Sequence, residues 1–184
     1  MEAARRDPAQ FDALYRKYLA QVYAFALYEL ADHHAAEDAT ERTFLRALAA
    51  LPRFREQALP EDGPEASTFR VWLFRIARNT IANERRTRRR RPSASLEAAL
   101  GAGLAIADGI DVEADAVTRD EASAALRTVQ ALPDDRRRAL LLRFVDEMST
   151  AEIAGVLGRS EGAVRVLIHR ALRDVAQRLD VRGR

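Results

Sequence analysis

The chain has no cysteine and only one lysine, Lys17, among its 184 residues. The first absence removes a disulfide framework, a thiol nucleophile and any cysteine-ligated zinc or iron–sulfur centre, and with them the small stapled folds of secreted proteins. Long apolar runs are missing too. None approaches the roughly 20 residues that span a bilayer, and the opening MEAARRDPAQ has no apolar core of a signal peptide. The expectation is a cytoplasmic protein without membrane insertion. Catalytic patterns are equally scarce: no nucleophile stands beside a base, and no glycine-rich loop offers to cradle a phosphate. His33, His34 and Glu37 share a helix side but lack HExxH spacing, so they read as a helix start rather than a zinc site. His169 has no neighbour that would make it a general base. No enzyme, cofactor or metal is expected.

The formal net charge of +2 conceals strong segregation. Residues 70–91 carry nine arginines against one acid, residues 92–122 carry one arginine against seven acids, and residues 123–184 return to a basic excess. Such alternation suits an anion-binding protein that screens part of its own charge.

With only 8 glycines and 6 prolines, and no stretch alternating apolar and polar residues, the chain reads as all-α. Leu14, Tyr15, Tyr18, Leu19, Val22, Tyr23 and Ala26 recur at intervals of three and four and form one helical stripe. A second helix is predicted over 35–51, with Ala36, Ala39, Thr43, Phe44, Ala47 and Leu48 inward and Pro52 as its stop. Prolines 52, 60 and 64 with Gly63 make the segment to Ser67 a long loop. A third helix starts near Thr68 and runs into the arginines, its apolar side set by Phe69, Trp72, Ile76, Thr80 and Ile81. The small and acidic residues that follow predict a linker, the alternative being a helical part of one continuous domain. The expected division is a domain at 1–91, a linker at 92–120 and a domain at 121–184. Further helices are predicted at about 120–131 and 133–147, with Pro133 in the first turn of the latter.

The stretch STAEIAGVLGRSEGAVRVLIHRALRDVAQRL carries the most information. Ser149 and Glu152 fit a capping box, Ile153, Val156 and Leu157 form a buried edge, Gly158 permits a sharp turn, and Ser160 caps a longer helix. On that helix Val164, Leu167, Ile168, Ala171, Leu172 and Val175 share one face, while Gly162, Arg165, Val166, His169 and Arg173 occupy the other. A short helix, a glycine turn and a longer helix with a basic outer face meet the needs of a helix-turn-helix. Arg165 and His169 are spaced to enter a major groove, with Arg170 and Arg173 within reach of phosphates. A plain helical hairpin with a solvated face is the bland alternative.

These residues, with two segments of the first half, resemble the sigma-70 family of bacterial RNA polymerase sigma factors, in its extracytoplasmic-function (ECF) group, over about 11–179. ALPDDRRRALLLRFVDEMSTAEIAGVLGRSEGAVRVLIHRAL is similar to the family's promoter-binding C-terminal domain, AAEDATERTFLRAL to its polymerase-binding helix, and FRVWLFRIARNTIANERRTRRRR to its promoter-opening helix. The resemblance implies two small helical domains joined by a linker, with the helix-turn-helix in the second. It implies core RNA polymerase and promoter DNA as partners and, in many members, an anti-sigma factor. Carried over by position, Asp38, Glu41, Arg42 and Leu45 would meet the polymerase. Arg75, Arg78, Asn79, Asn83, Arg85 and Arg86 would hold the minus-ten element, while Ser160, Glu161, Gly162, Arg165, Val166, His169, Arg170 and Arg173 would read the minus-thirty-five element. Phe74 and Trp72 join the arginines as candidate stacking partners for separated bases, although Trp72 falls on the apolar stripe and reads as core.

Three departures from the family pattern stand out. Glu41 and Arg42 replace a usual glutamine and glutamate, the loop QALPEDGPEAS is longer and more acidic, and Val166 and Leu167 replace a frequent serine and arginine. Two other readings stay open on sequence: a helix-turn-helix regulator acting without polymerase, and a sigma-fold protein that has lost initiation.

Overall fold

The computed structural model describes residues 8–55, 68–90 and 127–182; the predicted linker at 92–120 and the loop at 57–67 lie outside the described residues. Within these limits every regular element is helical: α1 (Pro8–Leu30), α2 (His33–Ala50), a 3-10 turn at Leu51–Arg53, α3 (Thr68–Arg90), α4 (Asp134–Phe144), α5 (Thr150–Leu157) and α6 (Glu161–Arg182). Residues 127–130 add a helical turn before α4.

Helices α1 to α3 form the first bundle. The Asp32 carboxylate accepts the Ala35 N–H at 2.7 Å and so starts α2, as a side-chain oxygen at an N-cap satisfies an otherwise orphaned donor. Ala35, Ala36, Ala39 and Ala47 are buried, and their small side chains let α2 lie close to its neighbours. Buried Thr40 and Thr43 donate to the Ala36 and Ala39 carbonyls one turn back, so neither hydroxyl is left without a partner. Pro52 sits in the first residues of the 3-10 turn, where it ends α2 as expected. Phe54, just beyond, packs against Trp72 (centroids 4.9 Å apart) and Phe69. Trp72 is therefore a packing residue.

Two assignments in this half fail, one inward and one outward. Leu48 is 45% exposed, because the neighbouring α1 covers α2 only through the Phe44 side. Phe74 is fully buried against Phe25, so it offers no platform for a base. The reason lies in α3, which buries Val71, Leu73, Phe74 and Ala77 as well as Phe69 and Ile81: it is covered on two sides.

The second cover comes from the C-terminal unit. There α4 buries Ala139, Leu141 and Leu142, α5 buries Ile153 and Val156, and α6 buries Val164 and Ala171. Pro133 stands at the N-cap of α4 rather than inside its first turn, with Asp134 and Asp135 following at the helix's positive end. Leu172, predicted inward, is 46% exposed, whereas Ala171 and Val175 beside it pack on Leu132 and Leu140; the covered strip of α6 is narrower than its apolar face. The two units pack together, α5 against α3 and α4 against α1, and a single apolar cluster holds Phe25 and Phe74 together with Val156 and Val164.

Candidate nucleic-acid interface

The α5–α6 pair is built as its sequence dictates. Ser149 Oγ accepts the Glu152 N–H at 3.1 Å while Glu152 accepts the Ser149 N–H at 2.9 Å, a complete capping box. Gly158 takes a left-handed conformation (φ +66°, ψ +41°) and its N–H, with that of Arg159, returns to the Ala154 carbonyl. A residue with a Cβ resists that conformation, so the turn depends on glycine. Ser160 Oγ then accepts the Ala163 N–H at 3.3 Å to open α6.

The outer face of α6 is free for a ligand. Gly162, Arg165, Val166, His169, Arg170 and Arg173 are all exposed, Ser160 is exposed just ahead of the helix, and Glu161 is half-buried. Arg165 is held on its own helix by Glu161 at 3.6 Å, an exposed pair of little strength that a phosphate or base edge can displace. Among the described residues nothing approaches the position of a Cβ on Gly162, and its smallness serves no packing among them. Residues 162, 165, 166, 169 and 173 thus present one cationic, partly apolar strip of helix of a width that fits a major groove.

The arginines of α3 behave differently. Arg75 Nε donates to the Gly155 carbonyl at 2.6 Å, and Arg78 to the Val156 carbonyl at 2.7 Å and to Asn79 Oδ1 at 3.3 Å. Burial lowers the Arg78 pKa, and Arg138 adds to the effect. Arg85 pairs with Glu29 at 3.3 Å and Asp134 at 3.4 Å, and Arg88 with Asp32 at 3.0 Å. Of the arginines that the resemblance implies for the minus-ten element, Arg78 and Arg85 are half-buried and Arg75 is exposed, and all three are drawn into contacts with the rest of the protein. Asn79, Asn83 and Arg86 do lie exposed.

Sequence reasoning missed the group that draws Arg85 inward. Glu29, fully buried on α1, receives Arg137 at 2.9 and 3.1 Å and lies 3.5 Å from Arg138. Burial pushes its carboxyl up to about 7, against the lowering pull of Arg138 and Arg85. A lone acid on an apolar stripe was the available signal, but its partners lie more than fifty residues away.

On the opposite side of the first bundle, α1 and α2 enclose a groove of about 630 Å³. Phe11, Tyr15 and Phe44 form its aromatic floor, with Tyr15 edge-on to Phe44 at 4.8 Å. Leu45, 57% exposed, and Leu48 line it, and Glu37, Asp38 and Glu41 supply an acidic rim. Asp38, Glu41, Arg42 and Leu45 are all exposed on α2. Arg42 is drawn toward α3 by Glu84 at 2.8 Å, away from the acidic rim. The share of α1 in this surface was not foreseen, although its aromatic spacing is visible in the sequence. Among the described residues no cluster of histidine and acid side chains could hold a metal ion, and no helix is long and apolar enough to cross a membrane.

Comparison with known proteins places both halves. Sigma-70 region 2 matches residues 14–91 and sigma-70 region 4 matches residues 123–175. The chain is 35% identical to the ECF RNA polymerase sigma factor BldN of Streptomyces coelicolor, over 92% of this chain and 60% of that longer protein. It is 36% identical to the RNA polymerase sigma-H factor of Pseudomonas aeruginosa, over 91% of this chain and 84% of the relative. Among solved structures, the sigma factor RpoE in complex with the anti-sigma factor NepR from Bartonella quintana shares the fold at TM-score 0.65 and 22% identity, covering 94% of this chain and 98% of that one. CnrH, solved in complex with the cytosolic domain of CnrY, does so at TM-score 0.65 and 24% identity, covering 98% and 94%. A region 2 bundle, a region 4 helix-turn-helix and a match along nearly the whole chain agree: the chain belongs to the sigma-70 family, as an RNA polymerase sigma factor of the extracytoplasmic-function group.

Proposed function

We propose that the protein directs promoter-specific transcription initiation by two-point recognition while bound to core RNA polymerase, itself catalysing no reaction and working in the cytoplasm. The observation that carries the reading is the free cationic face of α6 on a region 4 helix-turn-helix, joined to a region 2 bundle. In this reading α6 takes the minus-thirty-five element through Ser160, Glu161, Gly162, Arg165, Val166, His169, Arg170 and Arg173. Helix α3 takes the minus-ten element through Arg75, Arg78, Asn79, Asn83, Arg85 and Arg86. The groove face of α2, with Asp38, Glu41 and Leu45, receives the polymerase, and Arg42 borders it.

The proposed domains, 1–91 and 121–184 about a linker at 92–120, follow that division of labour. Two modest DNA contacts held at a spacing fixed by the polymerase gain affinity through effective concentration. An anti-sigma factor is the third proposed partner, by analogy with the two solved complexes. The test is transcription by purified core polymerase on DNA from the source genome, with transcript starts mapped. Starts that require the protein and share a two-part upstream motif support the reading. DNA binding without new starts and without comigration with polymerase would replace it by a stand-alone regulator; comigration without starts would indicate a sigma fold that no longer initiates.

A further inference from the structure

Helix α2 sorts its charges by side. Glu37, Asp38 and Glu41 line the groove shared with α1, whereas Arg42 and Arg46 reach across to α3, Arg42 to Glu84 at 2.8 Å and Arg46 to Thr80 Oγ1 at 3.0 Å. Arg88, one turn beyond Glu84, lies 3.6 Å from it and pairs with Asp32, at the start of α2, at 3.0 Å. These contacts step along α3 by single turns, at residues 80, 84 and 88. Glu84 is the exceptional member of the series. Residues 70–91 hold nine arginines and one acid, and that acid, half-buried on α3, is the partner of the arginine that follows Glu41 of the groove rim. Two groups compete for this arginine. Asp38 stands four residues earlier on the same helix, a spacing and order at which an acid and a base pair readily. Arg42 instead donates Nε to the Asp38 backbone carbonyl at 3.1 Å and Nη2 to the Glu84 carboxylate.

We propose that Glu84 is a positioning residue for polymerase docking, which holds Arg42 on the α3 side of α2 and so keeps the groove rim acidic toward a cationic partner surface. The inference rests on the reading of the groove face of α2 as the surface that receives the polymerase. Without the Glu84 carboxylate, the arginines of α3 repel Arg42 and the acids of the rim attract it. Arg42 then folds back onto Asp38 and Glu41 and cancels part of the rim's charge. Complementary charge of this kind speeds encounter and selects the partner. Glu84 therefore acts on docking through Arg42, from a helix that does not line the groove. Arg88 keeps its pair with Asp32 when Glu84 is neutralised, so the start of α2 stays tied to α3.

The test is binding of the whole chain to purified core RNA polymerase at about 0.1 M and about 1 M salt, where charges are screened beyond roughly 10 Å and 3 Å. At the lower salt Glu84→Gln should weaken binding about tenfold, chiefly by slowing association, and at the higher salt the difference should shrink to about twofold or less. The Arg42–Glu84 pair is partly exposed, so its loss leaves the fold intact. Adding Arg42→Gln to Glu84→Gln should recover most of the lost affinity, because the arginine that Glu84 held is then gone. Equal binding by Glu84→Gln and the parent overturns the proposal. So does a loss of the same size at both salt concentrations, or one that Arg42→Gln fails to recover, since either would mean that Glu84 only supports the fold. Asp38→Ala separates the inference from the reading beneath it. If Asp38→Ala weakens binding and Glu84→Gln does not, the docking surface stands and the role of Glu84 falls; if Asp38→Ala binds as the parent does, both fall.

Discussion

Helices α3 and α6 are both arginine-rich, and they use their arginines in opposite ways. On α6, Arg165, Arg170 and Arg173 stand on an exposed face, and the ion pair of Arg165 with Glu161 is local and weak. On α3, Arg75, Arg78, Arg85 and Arg88 reach the other unit or the first bundle. A count of basic residues therefore measures the charge a helix carries and not the charge it has available. Availability depends on which acceptors the fold brings within reach: carbonyls at the end of α5 and a buried carboxylate on α1.

The largest effect that tests this contrast comes from its anchor. Glu29→Ala should leave Arg137, itself 1% exposed, and Arg138 without the buried acid they share and with only the half-exposed Asp134 beside them, at a cost of about 3–5 kcal/mol in a urea melt. A loss below about 1 kcal/mol would mean the cluster is not what orients α3 against α4. Next come the two helices compared directly. Arg165→Ala should weaken binding to duplex promoter DNA by about 1–3 kcal/mol and leave the melting midpoint nearly unchanged. Arg78→Ala should impair strand opening and also cost about 1 kcal/mol or more of stability through the lost bond to Val156. Both variants should still comigrate with core polymerase. Equal stability costs would erase the distinction between the helices.

A smaller effect follows from pH. Asp146, 2% exposed beside the α3–α5 contact, has its carboxyl pushed up from 3.8 to about 8 by burial, against the lowering pull of Arg70. Arg70 on α3 is the charge that acts on Asp146, with Glu152 on α5 facing Arg70 in turn; Arg75 and Arg78 meet α5 at the Gly155 and Val156 carbonyls. The folded state holds this proton above the pH at which the unfolded chain releases it. The contribution is thus complete below pH 3.8 and is lost as pH rises toward 8. Stability should fall by at most about 1.4 kcal/mol per pH unit between pH 5.5 and 8 from this group, and Asp146→Asn should flatten the slope. Identical slopes in parent and variant would remove Asp146 from the interface energetics. The smallest expected effect belongs to Val166, exposed on α6. Val166→Ser should change the preferred base at one promoter position by about 1 kcal/mol, through loss of apolar contact with a thymine methyl. An unchanged preference in a randomised-site selection would take Val166 out of the readout.

Much of the candidate site was legible because its determinants are local. Ser149 and Glu152 are three residues apart, Gly158 needs only its own backbone freedom, and the exposed face of α6 follows from helical periodicity. Leu48 and Leu172 resisted the same reasoning: periodicity gives the side of a helix on which a residue lies but not how wide a strip of that side a neighbouring helix covers. Phe74 failed for another reason: its ring packs on Phe25 of α1, a partner in a different helix that the pattern of α3 alone does not reveal.

What the sequence by itself determined was the all-helical class, the helix-turn-helix with its caps and turn, and the residues on each helix face, all set by interactions within about a turn of the chain. Only the tertiary structure decided which charges are spent. Glu29 meets Arg137 across a separation of 108 residues, and Arg75 meets the Gly155 carbonyl across 80. No periodicity encodes such pairs. They are chosen when apolar faces from the two units pack into one core and carry the polar groups at its border into contact.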